Sequence, residues 1–293
     1  MRNNQLTSMM RIGAKVMLFG GFCFITACSQ EEIAVNPVNS SFDRQIKTLA
    51  GTRVWTGDPN QPWQDVFENF NTEDNGGTTP TLTSITDATY GKAWRVIKPA
   101  GAKRAEMSRA KGYNQQEGET IDLNYKFKIN PQTDIGSSEI TVFQWKTDGN
   151  VDRQNYPFNL TYKNGKLYLN LFGPGTPDWT SGSVSGRKNT VWSGTAAAGQ
   201  WLSIGFRIKV SRYIGTDNSK KGYIQLWYNG SAQTFTTQNS TSNYDVTLTN
   251  NNKRVLHRTN DGSVTYPKWG VYNEASRPFE IRTLFANMTI DKL

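Results

Sequence analysis

Ile121-Asp122-Leu123-Asn124-Tyr125-Lys126-Phe127-Lys128-Ile129 carries an apolar residue at every odd position and a polar one at every even position. Side chains alternate across a β-strand, so this segment has one apolar and one polar face and reads as a half-buried strand. Trp201 to Val210 repeats the pattern, with Leu202, Ile204, Phe206, Ile208 and Val210 directed inward. Further strands are expected at 66–70, 93–98, 104–110, 139–146, 158–162, 166–172, 222–229 and 279–290, separated by turn clusters such as Lys163-Asn164-Gly165 and Tyr228-Asn229-Gly230. No dozen-residue stretch keeps a 3.6-residue period with caps, so helices should be few and short. The pattern is that of an all-β, two-sheet sandwich. The stretches 71–87, 173–199 and 231–252, rich in Thr, Ser, Gly and Asn, are expected as long rim loops that shape a groove.

Outside this region the chain begins with Arg2, Arg11 and Lys15 ahead of an apolar run from Val16 to Ala27, too short for a bilayer anchor and of the form of a secretory signal. The run closes in Ile25-Thr26-Ala27-Cys28, which resembles a bacterial lipobox. The expected organisation is a lipoprotein signal peptide over 1–27, a flexible tether lipidated at Cys28 over 28–50, and one folded domain over 51–293. Ser29-Gln30-Glu31-Glu32 resembles the acidic export tag that follows the cysteine in some surface-exposed bacterial lipoproteins. These features predict an outer-membrane, lipid-anchored protein facing the exterior, whose only membrane partner is that anchor.

Removing residues 1–27, which hold three basic residues and no acidic one, lowers the formal net charge from +9 to +6. Cys23 leaves with them, so the folded domain has no disulfide and depends on its core. A basic exported chain points to a polyanionic partner. No helix-turn-helix, zinc-finger or RNA-recognition pattern is present, which argues against nucleic acid and for an acidic polysaccharide. A monomer is expected. With one histidine and no structural cysteine, no metal or other cofactor is called for; Asp58, Asp74 and Asp148 lack EF-hand spacing, and a structural calcium in a loop is left open.

Three segments put unusual polar groups on one face. In Glu139 to Lys146, Gln144 and Lys146 oppose Phe143 and Trp145. In Arg104-Ala105-Glu106-Met107, Arg104 and Glu106 oppose Ala105 and Met107. In Tyr266-Pro267-Lys268-Trp269-Gly270-Val271-Tyr272-Asn273-Glu274, the set Tyr266, Lys268, Gly270, Tyr272 and Glu274 opposes Pro267, Trp269 and Val271. Each segment has an apolar back for a core and a front suited to holding and deprotonating a uronate. Gly270 is expected to leave room for a chain lying against the sheet.

In order and spacing these segments resemble the Arg-x-Glu, Gln-x-His and Tyr-x-Lys-x-Gly-x-Tyr-x-Gln motifs of jelly-roll polysaccharide lyases, the group of heparin lyase I, glucuronan lyase and the family 7 alginate lyases. The resemblance covers roughly 60–290 and implies a concanavalin-like β-jelly roll with a concave groove. It implies β-elimination on a uronic-acid-containing polymer, with Tyr272 as catalytic tyrosine, Lys268 as groove lysine, and Arg104 and Gln144 on the substrate carboxylate. Glu106 is expected to orient Arg104, and Tyr266 and Glu274 to line the groove. Lys268 is expected to lower the Tyr272 pKa. Lys146 stands where the family has histidine, either as a charged anchor for a carboxylate or sulfate or as a neutral base, the charged role being preferred. The single histidine, His257, is a further candidate base. The basic balance and Lys146 lean toward a sulfated polymer such as ulvan or a heparin-like chain. The competing reading is a non-catalytic surface glycan-binding lipoprotein on the same sandwich, with Trp179, Trp192 and Trp227 as sugar platforms; a glycoside hydrolase lacks the paired carboxylates it would need.

Overall fold

A computed structural model of the chain describes residues 51–74, 78–131, 135, 138–148, 156–173, 188–236, 246–273 and 278–293. The signal, the tether with Cys28, Glu274 and Trp179 lie outside these residues. Among the described residues, seventeen strands and one helical turn follow in order: β1 Thr52–Thr56, α1 Trp63–Val66, β2 Phe67–Glu73, β3 Thr81–Asp87, β4 Gly91–Lys98, β5 Arg104–Ala110, β6 Thr120–Pro131, β7 Ile140–Asp148, β8 Phe158–Lys163, β9 Lys166–Phe172, β10 Lys188–Thr195, β11 Leu202–Lys209, β12 Tyr223–Tyr228, β13 Ser231–Ala232, β14 Thr247–Thr249, β15 Arg254–Leu256, β16 Val264–Tyr272 and β17 Ile281–Lys292.

They form a jelly-roll sandwich of two antiparallel sheets. The ten-stranded sheet runs β14-β15-β12-β11-β6-β17-β4-β3, with β1 on β17 and β13 on β12; the seven-stranded sheet runs β10-β9-β8-β7-β16-β5-β2. The alternation at 121–129 is realised as expected: Ile121, Leu123, Tyr125, Phe127 and Ile129 are buried, as are Leu202, Ile204, Phe206, Ile208 and Val210. Burying each large apolar side chain is worth roughly 1.5–3 kcal/mol, which lets the domain hold without a disulfide.

The loop expectations need correcting. β2 continues to Glu73, and 71–87 also holds β3; 173–199 contains β10, and 231–252 contains β13 and β14. These are outer strands of Ser, Thr and Asn with few inward apolar residues: β3 buries only Leu82 of its seven. An edge strand satisfies its backbone on one side with little hydrophobic signal, so composition alone reads it as loop. Trp192 is also not a sugar platform, being 5% exposed within the core cluster.

Candidate active site

The three polar fronts meet because β7, β16 and β5 are neighbours at the centre of the smaller sheet. Cross-strand pairing sets Tyr272 opposite Arg104, Gly270 opposite Glu106 and Lys268 opposite Ser108 on one side of β16. On its other side Tyr266 faces Lys146 and Lys268 faces Gln144. Directly opposed residues share a face, so Arg104, Glu106, Gln144, Lys146, Tyr266, Lys268 and Tyr272 form one strip. Their backs pack the core: Trp269 stacks on Trp55 at 5.4 Å, Phe143 on Phe206 at 5.3 Å and Trp145 on Phe158 at 5.9 Å. Such packing fixes the backbone from which the strip projects.

Gly270 has a stricter reason than making room. Its φ is +144°, and a Cβ there would lie 2.2 Å from the Ala105 carbonyl oxygen on the neighbouring strand. Only glycine permits that approach.

Glu106, 2% exposed, is the hub of the strip. Its Oε1 accepts from Gln144 Nε2 at 2.7 Å, while its Oε2 takes Lys268 Nζ at 3.4 Å and an ion pair with Arg104 Nε at 3.3 Å. Glu106 thus meets three donors, Gln144, Lys268 and Arg104. Lys268, the groove lysine implied by the resemblance, is 6% exposed and paired with Glu106. The Arg104 guanidinium lies 4.8 Å from the Tyr272 ring centroid and the Lys103 ammonium 6.0 Å from it. Tyr266 is covered by the Arg109 guanidinium at 3.9 Å, and burial raises its pKa.

Lys146 is half-buried on the same face. Burial first, then the Lys268 and Arg104 cations, lowers its pKa to about 8. His257 is not brought to the strip. It follows β15 in the other sheet, 2% exposed, with Nε2 hydrogen bonded to the Pro157 carbonyl at 2.7 Å, and burial lowers its pKa to about 4.

The strip continues across the sheet in one rung of paired polar residues: Asn69, Ser108, Lys268, Gln144, Asn159, Asn170 and Thr190. Asn170 Nδ2 donates to Asn159 Oδ1 at 3.0 Å and to Thr161 Oγ1 at 3.1 Å, and Thr190 Oγ1 donates to Asn170 Oδ1 at 2.7 Å. The result is an electrostatically balanced floor with Arg104, Tyr272 and Lys146 less deeply set than Glu106. It can hold an anion and exchange a proton beside it.

The family profile described as "Polysaccharide lyase" matches residues 57–287 and so spans all three motif strands. The chain belongs to the polysaccharide lyase family. As a member it is an enzyme that breaks its polymer by elimination. Among solved structures, the lyase is similar to an endo-β-1,4-glucuronan lyase from the fungus Trichoderma reesei, at 13% identity and TM-score 0.49 over 77% of this chain and 95% of that one. It is also similar to alginate lyase vAL-1 from a Chlorella virus, at 11% identity and TM-score 0.49 over 83% and 100%. For the family 7 alginate lyase A1-II′ the values are 13% and 0.46 over 79% and 99%. No curated protein matches the lyase in sequence.

Sequence reasoning missed several residues around the lyase strip. Glu73, which pairs with Arg104 across β2 and β5, fell in a stretch read as loop. Lys103 precedes the motif and has no pattern of its own. Asn159, Thr161 and Asn170 had a signal: polar residues alternate with Phe158, Leu160 and Tyr162 on β8 and with Leu169 and Leu171 on β9.

Proposed function

We propose that this lyase cleaves a uronic-acid-containing polysaccharide by β-elimination on the β5–β16–β7 strip. The observation that carries the proposal is the register that sets Tyr272 against Arg104 and Lys268 against Gln144, all gathered around Glu106. The C5 proton of a uronate is too weakly acidic to leave unaided. Arg104, the second amide N–H of Gln144 and protonated Lys146 stabilise the charge that builds on the carboxylate as that proton departs. The C5–H electrons form the C4–C5 double bond, the C4–O4 bond breaks, and Tyr272 delivers a proton to the leaving O4. In this scheme the C5 proton and O4 lie on the same side of the ring: Tyr272 enters as tyrosinate, takes the C5 proton and passes it to the leaving O4, so no second base is needed. Arg104 and Lys103 lie beside the Tyr272 ring. Glu106 holds the donors in place and does not react.

The finer substrate reading is a sulfated polymer such as ulvan or a heparin-like chain. Its support is the +6 balance of residues 28–293 and a lysine at 146. A lipid anchor at Cys28 would hold the enzyme on the outer surface, where such polymers are met. The test is incubation with ulvan, heparin, alginate and glucuronan while following the ultraviolet absorbance of an unsaturated uronyl end. If none yields that product, the uronate reading fails; if only alginate or glucuronan does, the sulfated reading fails. Fatty-acid labelling that persists in Cys28→Ala would refute the anchor.

A further inference from the structure

The lyase has a second concave surface, on the other side of the sandwich from the strip. A cavity of about 1130 Å³ opens on the outer face of the larger sheet, lined among others by Tyr90, Lys92, Asn124, Lys126, Ser203 and Asn287. Small-molecule sites are typically about 300–1,000 Å³, so it has room for several sugar rings. The sheet is deformed here. The register slips between Arg53 and Trp55 in β1 and between Ala286 and Thr289 in β17. Within the second slip Asn287 takes a left-handed φ of 50° and is exposed. A bulge re-aims a side chain, and a left-handed residue inside a twelve-residue strand is strain that calls for a purpose.

The lining chemistry suits an acidic sugar. Tyr90 is held rigidly, its ring edge-to-face on Trp201 at 4.9 Å, while Trp201 Nε1 donates to Asp87 Oδ1 at 3.2 Å. A fixed aromatic face packs against the C–H face of a pyranose at little entropic cost. Lys126 Nζ lies 5.9 Å from the Tyr90 centroid, and Lys92 is exposed with no carboxylate partner among the described residues. Two of the acidic lining residues are already neutralised: Asp122 by Arg207 at 2.7 Å and Asp291 by Arg53 at 2.6 Å. The third, Asp58, accepts the Asn60 backbone N–H at 2.9 Å. Asn124 and Asn287 supply amides for hydroxyl groups.

We propose that this cavity is a second, non-catalytic site that holds an acidic oligosaccharide segment of the polymer. The assignment of its ligand rests on the uronate reading of the strip, but its geometry does not. Since the two sites face opposite ways, one polymer chain looping around the domain, or two chains in a gel, engages both. Linking two binding events raises avidity without a new contact.

The test compares full-length wild type, Lys92→Ala/Lys126→Ala, Arg104→Ala and the triple variant. All are run in native gels cast with ulvan, heparin, alginate or glucuronan, and assayed on long chains and on tetrasaccharides of the polymer that is cleaved. The expected result is that Lys92→Ala/Lys126→Ala keeps tetrasaccharide turnover, raises KM for long chains on the order of tenfold, a small share of typical avidity gains, and loses gel retardation in part. The triple variant should lose retardation completely. Retardation and long-chain KM unchanged in the double variant overturn the proposal, as does a wild type retarded by none of the four polymers. If Arg104→Ala still cleaves while the double variant loses retardation, the strip assignment fails and the second site stands.

Discussion

Glu106→Gln isolates what the hub contributes, because the substitution keeps the shape and removes only the charge and one acceptor. Both carboxylate oxygens receive donors: Oε1 from Gln144, and Oε2 from Lys268 with Arg104 in ion-pair range. A glutamine offers one oxygen and one NH₂. With its oxygen toward Lys268, the new amide turns its NH₂ to Gln144, which must then present its own oxygen; the Lys268 ammonium keeps a neutral acceptor and loses its counter-charge. Lys268, with a side chain only 8% exposed, is then a buried cation without its partner carboxylate. Removing one member of a buried ion pair costs about 3–5 kcal/mol. At roughly 2–4 °C per kcal/mol for a domain of this size, Tm should fall by about 6–20 °C. Glu106 also raises the Lys146 pKa. Its loss should move the alkaline limb of the activity profile to lower pH, which a purely structural defect would not do. Calorimetry and a pH–rate profile measure both effects. A Tm within about 2 °C of wild type together with an unmoved alkaline limb would refute the hub.

Tyr272→Phe should keep the ring beside Arg104 and lower kcat by about 10²–10⁴-fold with little change in KM; retention of more than about a tenth of kcat would dismiss this tyrosine from proton transfer. In its charged role Lys146 acts below its pKa, so kcat/KM should decline as pH rises through about 8, and Lys146→Arg should remove the decline. A rise through the same range, with an inactive arginine variant, would instead make Lys146 the base. For His257, burial lowers the folded pKa to about 4 from 6.5, so the unfolded state binds more protons between these values. Its contribution is complete above pH 6.5 and is lost as pH falls toward 4, about 3 kcal/mol in all; His257→Gln should flatten this slope in urea titrations and leave kcat near wild type, and an unchanged slope would argue against it.

The fold was legible where burial is one-sided. Period-two alternation in 121–129 and 202–210 located β6 and β11, because a strand with one wet face must alternate. It failed for β3, β10 and β14, whose apolar content is too low to alternate visibly. The strip was legible as three segments because polar residues recurring at i and i+2 stand out against buried neighbours. Their mutual geometry was not. That Lys268 meets Glu106 and Arg104 meets the Tyr272 ring depends on β16 lying between β5 and β7, an adjacency that spacing along the chain does not encode. The low pKa of His257 likewise comes from its burial in the folded domain, which the sequence around it does not reveal.

The same adjacency governs when the enzyme becomes active. β16 enters the smaller sheet between two strands made long before it, and Lys268 reaches Glu106 across 162 residues. β17 does the same in the larger sheet, between β6 and β4. A chain delivered N-terminus first therefore has two sheets with internal gaps until β16 and β17 arrive. Closing loops of that length makes this the slow part of folding. The half of the site carried by β5 and β7 waits, with unpaired inner edges, for the strand that bears Tyr272. Loss of β16 and β17 would remove the strand that bears Tyr272 and split each sheet in two.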